Sequence, residues 1–169
     1  MNTPPRNPNT KPDPQELKHF FISHLNRIFC AKSQLVEKLP ELSTRSHFLD
    51  LKQAIDETVE IVNNQMGRMK QIYILLDAWY QPESCVGLTG ILDEAFQSIG
   101  NPHESAPLRD LSILFYMQNI ESIEIASFKT LMKVIEKLDE PEVTQLLLES
   151  YDEAREDKIL LNQIIEHYL

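Results

Sequence analysis

The chain has 169 residues, 42% of them hydrophobic and 25% charged, and its formal net charge is −10. This length and composition fit one globular domain with a sizeable core, while so acidic a surface disfavours nucleic acid and anionic membranes as partners. No apolar run is long enough to span a bilayer, and the polar N-terminus lacks the apolar region of a signal peptide. We therefore expect a cytoplasmic protein.

The chain has two cysteines, Cys30 and Cys85, which are far apart in sequence. Their spacing matches neither a CxxC motif nor a zinc site. Because cytoplasmic thiols are normally kept reduced, we expect both to be free thiols.

The N-terminal segment differs in composition from the rest of the chain. Half of the ten prolines fall within the first fourteen residues, and no hydrophobic periodicity is present there. We expect residues 1–13 to form a disordered tail and residues 14–169 to form one helical domain.

The first long helix is predicted over 14–39. Asp13 followed by Pro14 is a typical helix start, and Pro40 is expected to end the helix. Its apolar residues recur at helical intervals, at Leu17, Phe21, Leu25, Ile28, Leu35 and Leu39.

The second long helix is predicted over 45–80, with Ser43 or Thr44 as its cap and Pro82 beyond its end. Its apolar residues alternate in steps of three and four, which is typical of a bundle seam. They are Phe48, Leu51, Ile55, Val59, Val62, Met66, Met69, Tyr73 and Leu76.

Three further helices are predicted. A short one covers 88–99 and is closed by Gly100, a third long helix covers 106–138, and a fourth covers 140–168. For the fourth, Asp139 with Glu142 has the spacing of a capping box. No segment shows the alternation of a β-strand, so the fold class is all-α.

Connection lengths predict the topology. Short connections make the first two long helices one hairpin and the last two another. The long connection between the hairpins, which carries the short helix, can travel back along the bundle. This predicts a ferritin-like antiparallel four-helix bundle with one long crossover containing a short fifth helix; the alternative is an up-and-down bundle with an insert.

Most acidic residues fit a solvated surface. Glu16 and His19 form a Glu-x-x-His pair, a spacing found in di-iron bundles, but they lie in the first turn, at the end of the bundle. Glu57 and Glu60 fall off the apolar stripe of the second helix. We interpret these residues as exposed and not as metal ligands.

Two charged residues, Glu121 and Lys32, interrupt apolar stripes. Glu121, with Glu124 one turn later, falls where the third long helix should be apolar, and Lys32 does so on the first. A buried carboxylate is costly unless it is paired, protonated or metal-bound. The alternative is that both stripes are displaced by one residue and these groups lie at a wet groove edge.

Several short motifs occur in an order that matches a known family. They lie at 31–35, 39–40, 65–69, 85–95, 109–110 and 120–126. In these motifs the chain resembles the ferritin-like family of bacterial stress proteins typified by YciF and YciE, from about residue 17 to the C-terminus. The resemblance implies a ferritin-like fold and a homodimer.

The departures from the family pattern fall on its metal ligands. Lys32 stands where the family has a glutamate, and Ser122 replaces a histidine next to Glu121. Three further ligand positions are lost at Thr58, Ile61 and Ala154. The carboxylates that remain among the metal-site positions are Glu121, Glu124 and Glu94.

These departures predict a non-catalytic, metal-free bundle without a cofactor, with a stress-associated role implied by the resemblance. The alternatives are a residual metal-binding oxidoreductase that uses Glu121, Glu124 and Glu94, and a helical protein-interaction module. We further predict that Lys32 replaces the lost metal charge. Its ammonium should then lie within about 4 Å of Glu121 or Glu124, in a buried setting.

Overall fold

The computed structural model describes residues 11–82, 84–99 and 104–169. Over these residues the chain is helical and contains no β-strand. The five helices are α1 (Pro14–Arg45), α2 (Leu49–Leu75), α3 (Val86–Ile99), α4 (Ala106–Ile135) and α5 (Pro141–Tyr168). The predicted all-α class is confirmed. Most of the predicted tail, and Gly100 after α3, lie outside the described residues.

The start of α1 is fixed by its own side chains. The Asp13 carboxylate accepts hydrogen bonds from the backbone N–H groups of Gln15 and Glu16, and the Glu16 carboxylate accepts one from the Asp13 N–H. This reciprocal capping box satisfies N–H groups that have no partner within the helix. Glu16 is therefore a capping residue, and His19 is exposed, as predicted.

The predicted end of α1 at Pro40 is wrong, because the helix continues through this proline to Arg45. An interior proline costs about 3 kcal/mol, since it removes one hydrogen bond and crowds the preceding turn. Here the exposed Pro40 is followed by Leu42, which is fully buried, and Ser43, whose hydroxyl donates to Asp56 at 2.5 Å. These contacts offset the cost.

The predicted start of α2 near residue 45 is also wrong, because the helix begins at Leu49 and no side chain of its own caps it. The cap comes from α4. Asp110 is fully buried, and its Oδ2 accepts hydrogen bonds from the backbone N–H groups of His47 and Phe48, both at 2.6 Å. Arg109 donates to the Arg45 carbonyl at 3.0 Å. Two adjacent α4 residues thus hold the α1–α2 turn.

We expect Asp110→Ala to lower the free energy of unfolding by about 2 kcal/mol, because it leaves two backbone donors without their charged acceptor. Asp110→Asn, which keeps an acceptor oxygen, should recover part of this. Glu37→Ala, at an exposed position on α1, is the control. Urea denaturation measures the three values, and a loss equal to that of the control would show that the cap is not stabilising.

Three other helix ends differ from prediction by two to five residues, whereas the predicted end of α3, start of α4 and end of α5 are confirmed. α2 ends at Leu75, α3 begins at Val86 and α4 ends at Ile135. The capping box predicted for α5 is absent. Asp139 has a φ of 58°, in the left-handed region, and the N-cap residue Glu140 makes no side-chain cap bond.

Two apolar clusters fill the bundle and show the direction of each helix. The first joins the end of α1 to the starts of α2 and α4 and the end of α5, through residues such as Leu42, Leu51, Leu114 and Leu161. The second joins the opposite ends of the same helices, through residues such as Phe21, Met69, Phe128 and Leu147. Helices α2 and α4 are therefore parallel, so the connection between them must cross the length of the bundle.

The helix pairs complete the topology. The hairpins α1–α2 and α4–α5 pack side by side, with α1 against α4 and α2 against α5, and α3 lies on α1 and α4. This is the predicted ferritin-like arrangement with a crossover helix, and the parallel direction of α2 and α4 excludes an up-and-down bundle. None of the described helices has the length and apolarity needed to cross a membrane.

Candidate functional site

A layer of polar side chains separates the two apolar clusters at the middle of the bundle. Lys32 of α1 is 0% exposed, and its Nζ lies 2.6 Å from Glu124 Oε2 of α4. The same ammonium donates to Gln65 Oε1 of α2 at 2.5 Å, and the Gln65 amide donates to the Ser150 carbonyl of α5 at 3.3 Å. One connected set of hydrogen bonds thus touches all four long helices.

The prediction that Lys32 points inward and meets a glutamate is confirmed. The glutamate that pairs with it is Glu124, whereas Glu121, the partner favoured by the sequence, interacts with it electrostatically. The ammonium also lies 5.5 Å from the centroid of the Phe128 ring, within cation–π range. A charge-assisted hydrogen bond, an amide and an aromatic face therefore replace the water that Lys32 loses on burial.

Glu121 is buried beside this pair, being 5% exposed. Burial raises its pKa well above the usual value, the neighbouring Glu124 and Asp157 raise it further, and Lys32 opposes the change. Glu121 therefore favours its protonated, neutral form. Its position inside the bundle rules out the alternative in which these residues lie at a wet groove edge.

Asp157 of α5 is a further member of the layer and was not predicted. It is 7% exposed, and Thr58 Oγ1 lies 3.5 Å from its Oδ2. Burial raises its pKa from 3.8 to about 6, with Glu124 adding to the effect and the Thr58 hydroxyl opposing it. The layer thus holds three carboxyl groups around one ammonium.

The raised pKa of Asp157, about 6, predicts a pH dependence of stability. The folded state holds this proton at pH values where the unfolded chain has lost it, so the wild-type free energy of unfolding should fall as pH rises from about 4 to 6. Asp157→Asn avoids this loss. It should be more stable than wild type by about 1 kcal/mol at pH 8, after allowance for solvent screening, and equally stable near pH 4.

Urea titrations at several pH values measure this difference. Asp152→Asn, at an exposed position of the same helix, is the control and should leave the pH profile unchanged. A variant of Asp157 that is destabilised at pH 8 would contradict the assignment.

At four positions where the family resemblance implies a metal ligand, this chain has a residue of another type. Thr58 and Ala154 are buried at the level of the layer, and Thr58 Oγ1 donates to the Ala54 carbonyl at 2.9 Å. Ile61 is half-buried and offers no ligand atom, and Ser122 donates to the Gln118 carbonyl at 2.7 Å.

Other predicted acidic residues lie on the surface. Glu94 is exposed on α3, so the structure does not bring it together with the buried Glu121 and Glu124. Its helix is the crossover, which lies outside the four-helix core. Glu57 and Glu60 are exposed, as predicted.

The donor set of the layer does not fit the di-metal centre of a ferritin-like protein. Such a centre takes glutamates from four helices and a histidine from each of two. Here an ammonium is hydrogen-bonded to Glu124, α2 contributes Thr58 and Gln65, and Ala154 contributes no donor atom. Within the described ranges, no three or more His, Cys, Asp or Glu side chains are grouped so as to hold a metal ion.

The prediction of two free thiols is wrong, because Cys30 of α1 and Cys85, just before α3, form a disulfide with their Cα atoms 6.1 Å apart. The crossover brings together residues that are 55 positions apart in sequence. The Gln34 side chain donates to Cys85 Sγ at 3.6 Å.

The fold and its central layer define a four-helix bundle of ferritin-like topology with a lysine-centred polar core. The chain belongs to the family described as a domain of unknown function, DUF892, whose model matches residues 16–169. The resemblance to the YciF-type proteins is thereby confirmed.

Known proteins are similar over nearly the whole chain. Protein YciF of Escherichia coli is 27% identical over 149 residues, which cover 88% of this chain and 89% of YciF. The crystal structure of this E. coli stress protein matches with a TM-score of 0.85 and 26% identity, covering 90% of this chain and 96% of that one. YcfI from Rhodopseudomonas palustris, at 24% identity, has a TM-score of 0.83 over 90% of this chain and 97% of its own, which shows a shared fold.

Proposed function

We propose that this protein is a non-catalytic, metal-free ferritin-like bundle in which Lys32 takes the electrostatic place of the metal ions. The observation that carries the proposal is the fully buried ammonium of Lys32, 2.6 Å from Glu124 Oε2 at the centre of the four helices. A cation that is fixed in this position repels a second cation and occupies a carboxylate lone pair that a metal would need.

The charges of the layer support this proposal. Carboxylates left behind by a lost metal would repel one another in a medium of low dielectric constant. Lys32 balances the charge of Glu124, and burial raises the pKa of Glu121, which favours the neutral form of that group. The layer thereby satisfies its buried groups without an exogenous ion.

The alternative of a residual oxidoreductase needs Glu94 to join Glu121 and Glu124. The exposed position of Glu94 on α3 disfavours this set. Redox catalysis at the layer would also need an open coordination position, and Lys32 with Gln65 fills the space beside Glu124.

The cellular setting is also a proposal. YciF is described as a stress protein, and a stress-associated role for this chain rests on that similarity. We further propose a cytoplasmic homodimer, and the dimer rests on the family resemblance alone.

Elemental analysis tests the proposed function. Protein expressed in medium rich in iron and manganese and purified without chelator should contain well under one transition-metal ion per chain, because Lys32 and the lost ligands leave too few donors. Protein kept in its native state and treated with EDTA should show the same helicity as untreated protein. A stoichiometric, chelator-resistant metal would contradict the proposal.

A further inference from the structure

The crossover helix α3 is attached to the bundle by a disulfide at the residue that precedes it. Cys85 directly precedes α3, and its carbonyl oxygen accepts the first helical hydrogen bond, from the Thr89 N–H at 3.0 Å. Cys85 is therefore the N-cap residue, and its disulfide to Cys30 joins the start of α3 to the middle of α1.

Helix α3 covers one face of the polar layer. Its buried residues Thr89 and Leu92 lie over a small cavity between α1 and α4 that is also lined by Glu124. Next to this cavity, Cys85 lines an open, mainly apolar groove of about 530 Å³ between the same two helices. The position of α3 thus decides whether water can reach Glu124 from this side.

The distal half of α3 has weaker polar attachments. Lys38 pairs with Asp93 at 2.5 Å, but both side chains are substantially exposed, and such surface pairs contribute about 1 kcal/mol or less. The rest of the attachment is mainly apolar and comes from the buried Leu92 and Ala95 and the partly buried Ile91 and Phe96. The disulfide is therefore the strongest single tie between the crossover and α1.

We propose that the Cys30–Cys85 disulfide is a redox-controlled clasp, which opens by exchange with a small thiol such as glutathione and so releases α3 from the face that covers Glu124. The proposal goes beyond the proposed function, because it assigns a regulatory role to residues outside the polar layer. It concerns the crossover and does not depend on whether the layer binds a metal.

The geometry indicates which sulfur is attacked. Cys30 is partly exposed, whereas Cys85 is buried. A thiolate of the small thiol attacks Cys30 Sγ, forms a mixed disulfide there and expels Cys85 as its thiolate. A second thiolate attacks the small-thiol sulfur of this mixed disulfide, forms the small disulfide and expels Cys30 as its thiolate, and both cysteine thiolates take up protons. The balance is two small thiols oxidised to one small disulfide, with both protons and both electrons passing to Cys30 and Cys85.

The surroundings of Cys85 favour it as the leaving group. A thiolate at the N-terminus of a 14-residue helix is stabilised by the unpaired N–H groups of the first turn. The Gln34 side chain, which donates to Cys85 Sγ at 3.6 Å, supplies a further donor. A stabilised thiolate leaves faster and makes the reduced state easier to reach.

Hydrogen exchange of the full chain tests the clasp. Protein oxidised with glutathione disulfide is compared with protein held in reduced glutathione, at labelling times from seconds to minutes. On reduction, amides of Val86–Ile99 should exchange at least tenfold faster, while the middle of α5 stays protected. Equal protection of α3 in both states, or simultaneous exchange of α3 and α5, would overturn the proposal.

Variants and thiol trapping make the test independent of the reductant. In Cys30→Ser, which cannot form the disulfide, the α3 amides should exchange fast in both reduced and oxidised glutathione. Slow exchange of the α3 amides in this variant would also overturn the proposal. Thiol trapping in buffers with different ratios of reduced to oxidised glutathione gives the fraction of protein with the Cys30–Cys85 disulfide. Gln34→Leu should shift this equilibrium about threefold toward the disulfide. The control Gln71→Leu, at an exposed site, should leave it unchanged. The mechanism would be contradicted if Cys30 and Cys85 stayed fully reduced in glutathione disulfide. It would also be contradicted if Gln34→Leu gave the same ratio of disulfide to reduced cysteines as Gln71→Leu.

Discussion

Replacing Lys32 by methionine should lower the free energy of unfolding by about 3 kcal/mol at pH 7, because it leaves the carboxylate of Glu124 buried without its cation. Methionine fills nearly the same volume, so a cavity adds little to this loss. The fully buried Lys32 ammonium and its 2.6 Å contact make this the most costly ion pair to break in the described chain. Urea denaturation monitored by circular dichroism measures the change.

Lys70→Met is the matched control, since Lys70 is an exposed lysine on α2. Its effect should stay within about 0.5 kcal/mol, as is usual for surface substitutions. If Lys32→Met also changes stability by less than 1 kcal/mol, the ammonium is not compensating a buried charge, and the electrostatic account of the layer fails.

Loss of the Cys30–Cys85 disulfide should lower the free energy of unfolding by up to about 4 kcal/mol, the chain-entropy value for a closed loop of this size. The bond spans 55 positions, so it removes many conformations from the unfolded chain. The comparison is between oxidised wild type and the double variant Cys30→Ser with Cys85→Ser, in denaturant without reductant.

The same double variant supplies the control for this measurement. In excess reductant, wild type and the variant should unfold at urea concentrations that differ little, because both lack the bond. A wild type that is no more stable oxidised than reduced would show that the bond does not constrain the unfolded chain.

The topology could be predicted from the sequence because it depends on features that are local in the chain. Apolar spacing located every helix, and the unequal connection lengths predicted the crossover. Helix ends were less predictable, since tertiary contacts decide them. The buried Leu42 carries α1 past Pro40, and Asp110, more than sixty residues away in sequence, caps α2.

The layer was predictable where a charge interrupts an apolar stripe, as Lys32 and Glu121 do. Gln65 and Asp157 were missed, although both lie at stripe spacing. Gln65 lies three residues after Val62 and four before Met69, but the predicted stripe used the neighbouring Met66 because methionine is more apolar. Asp157 lies three residues after Ala154 and four before Leu161, at a position to which the predicted stripe assigned no residue. A polar residue in such a gap is a signal that sequence reasoning could use.

The pairing of Lys32 with Glu124, and the disulfide, could not be predicted with the same certainty. Glu121 and Glu124 are one turn apart, and the rotation of α4 about its axis decides which of them meets Lys32. The disulfide depends on the path of the crossover, which brings Cys85 onto α1. Both facts depend on three-dimensional placement and not on local periodicity.

A double-mutant cycle between Lys32 and Glu124 tests most directly whether the buried lysine balances the charge of this buried glutamate. The cycle uses Lys32→Met, Glu124→Leu and their combination, with unfolding free energies measured at pH 7. We expect a coupling free energy of about 2 kcal/mol or more, and the double variant should recover much of the stability that Lys32→Met loses. Additive losses, with a coupling near zero, would contradict it.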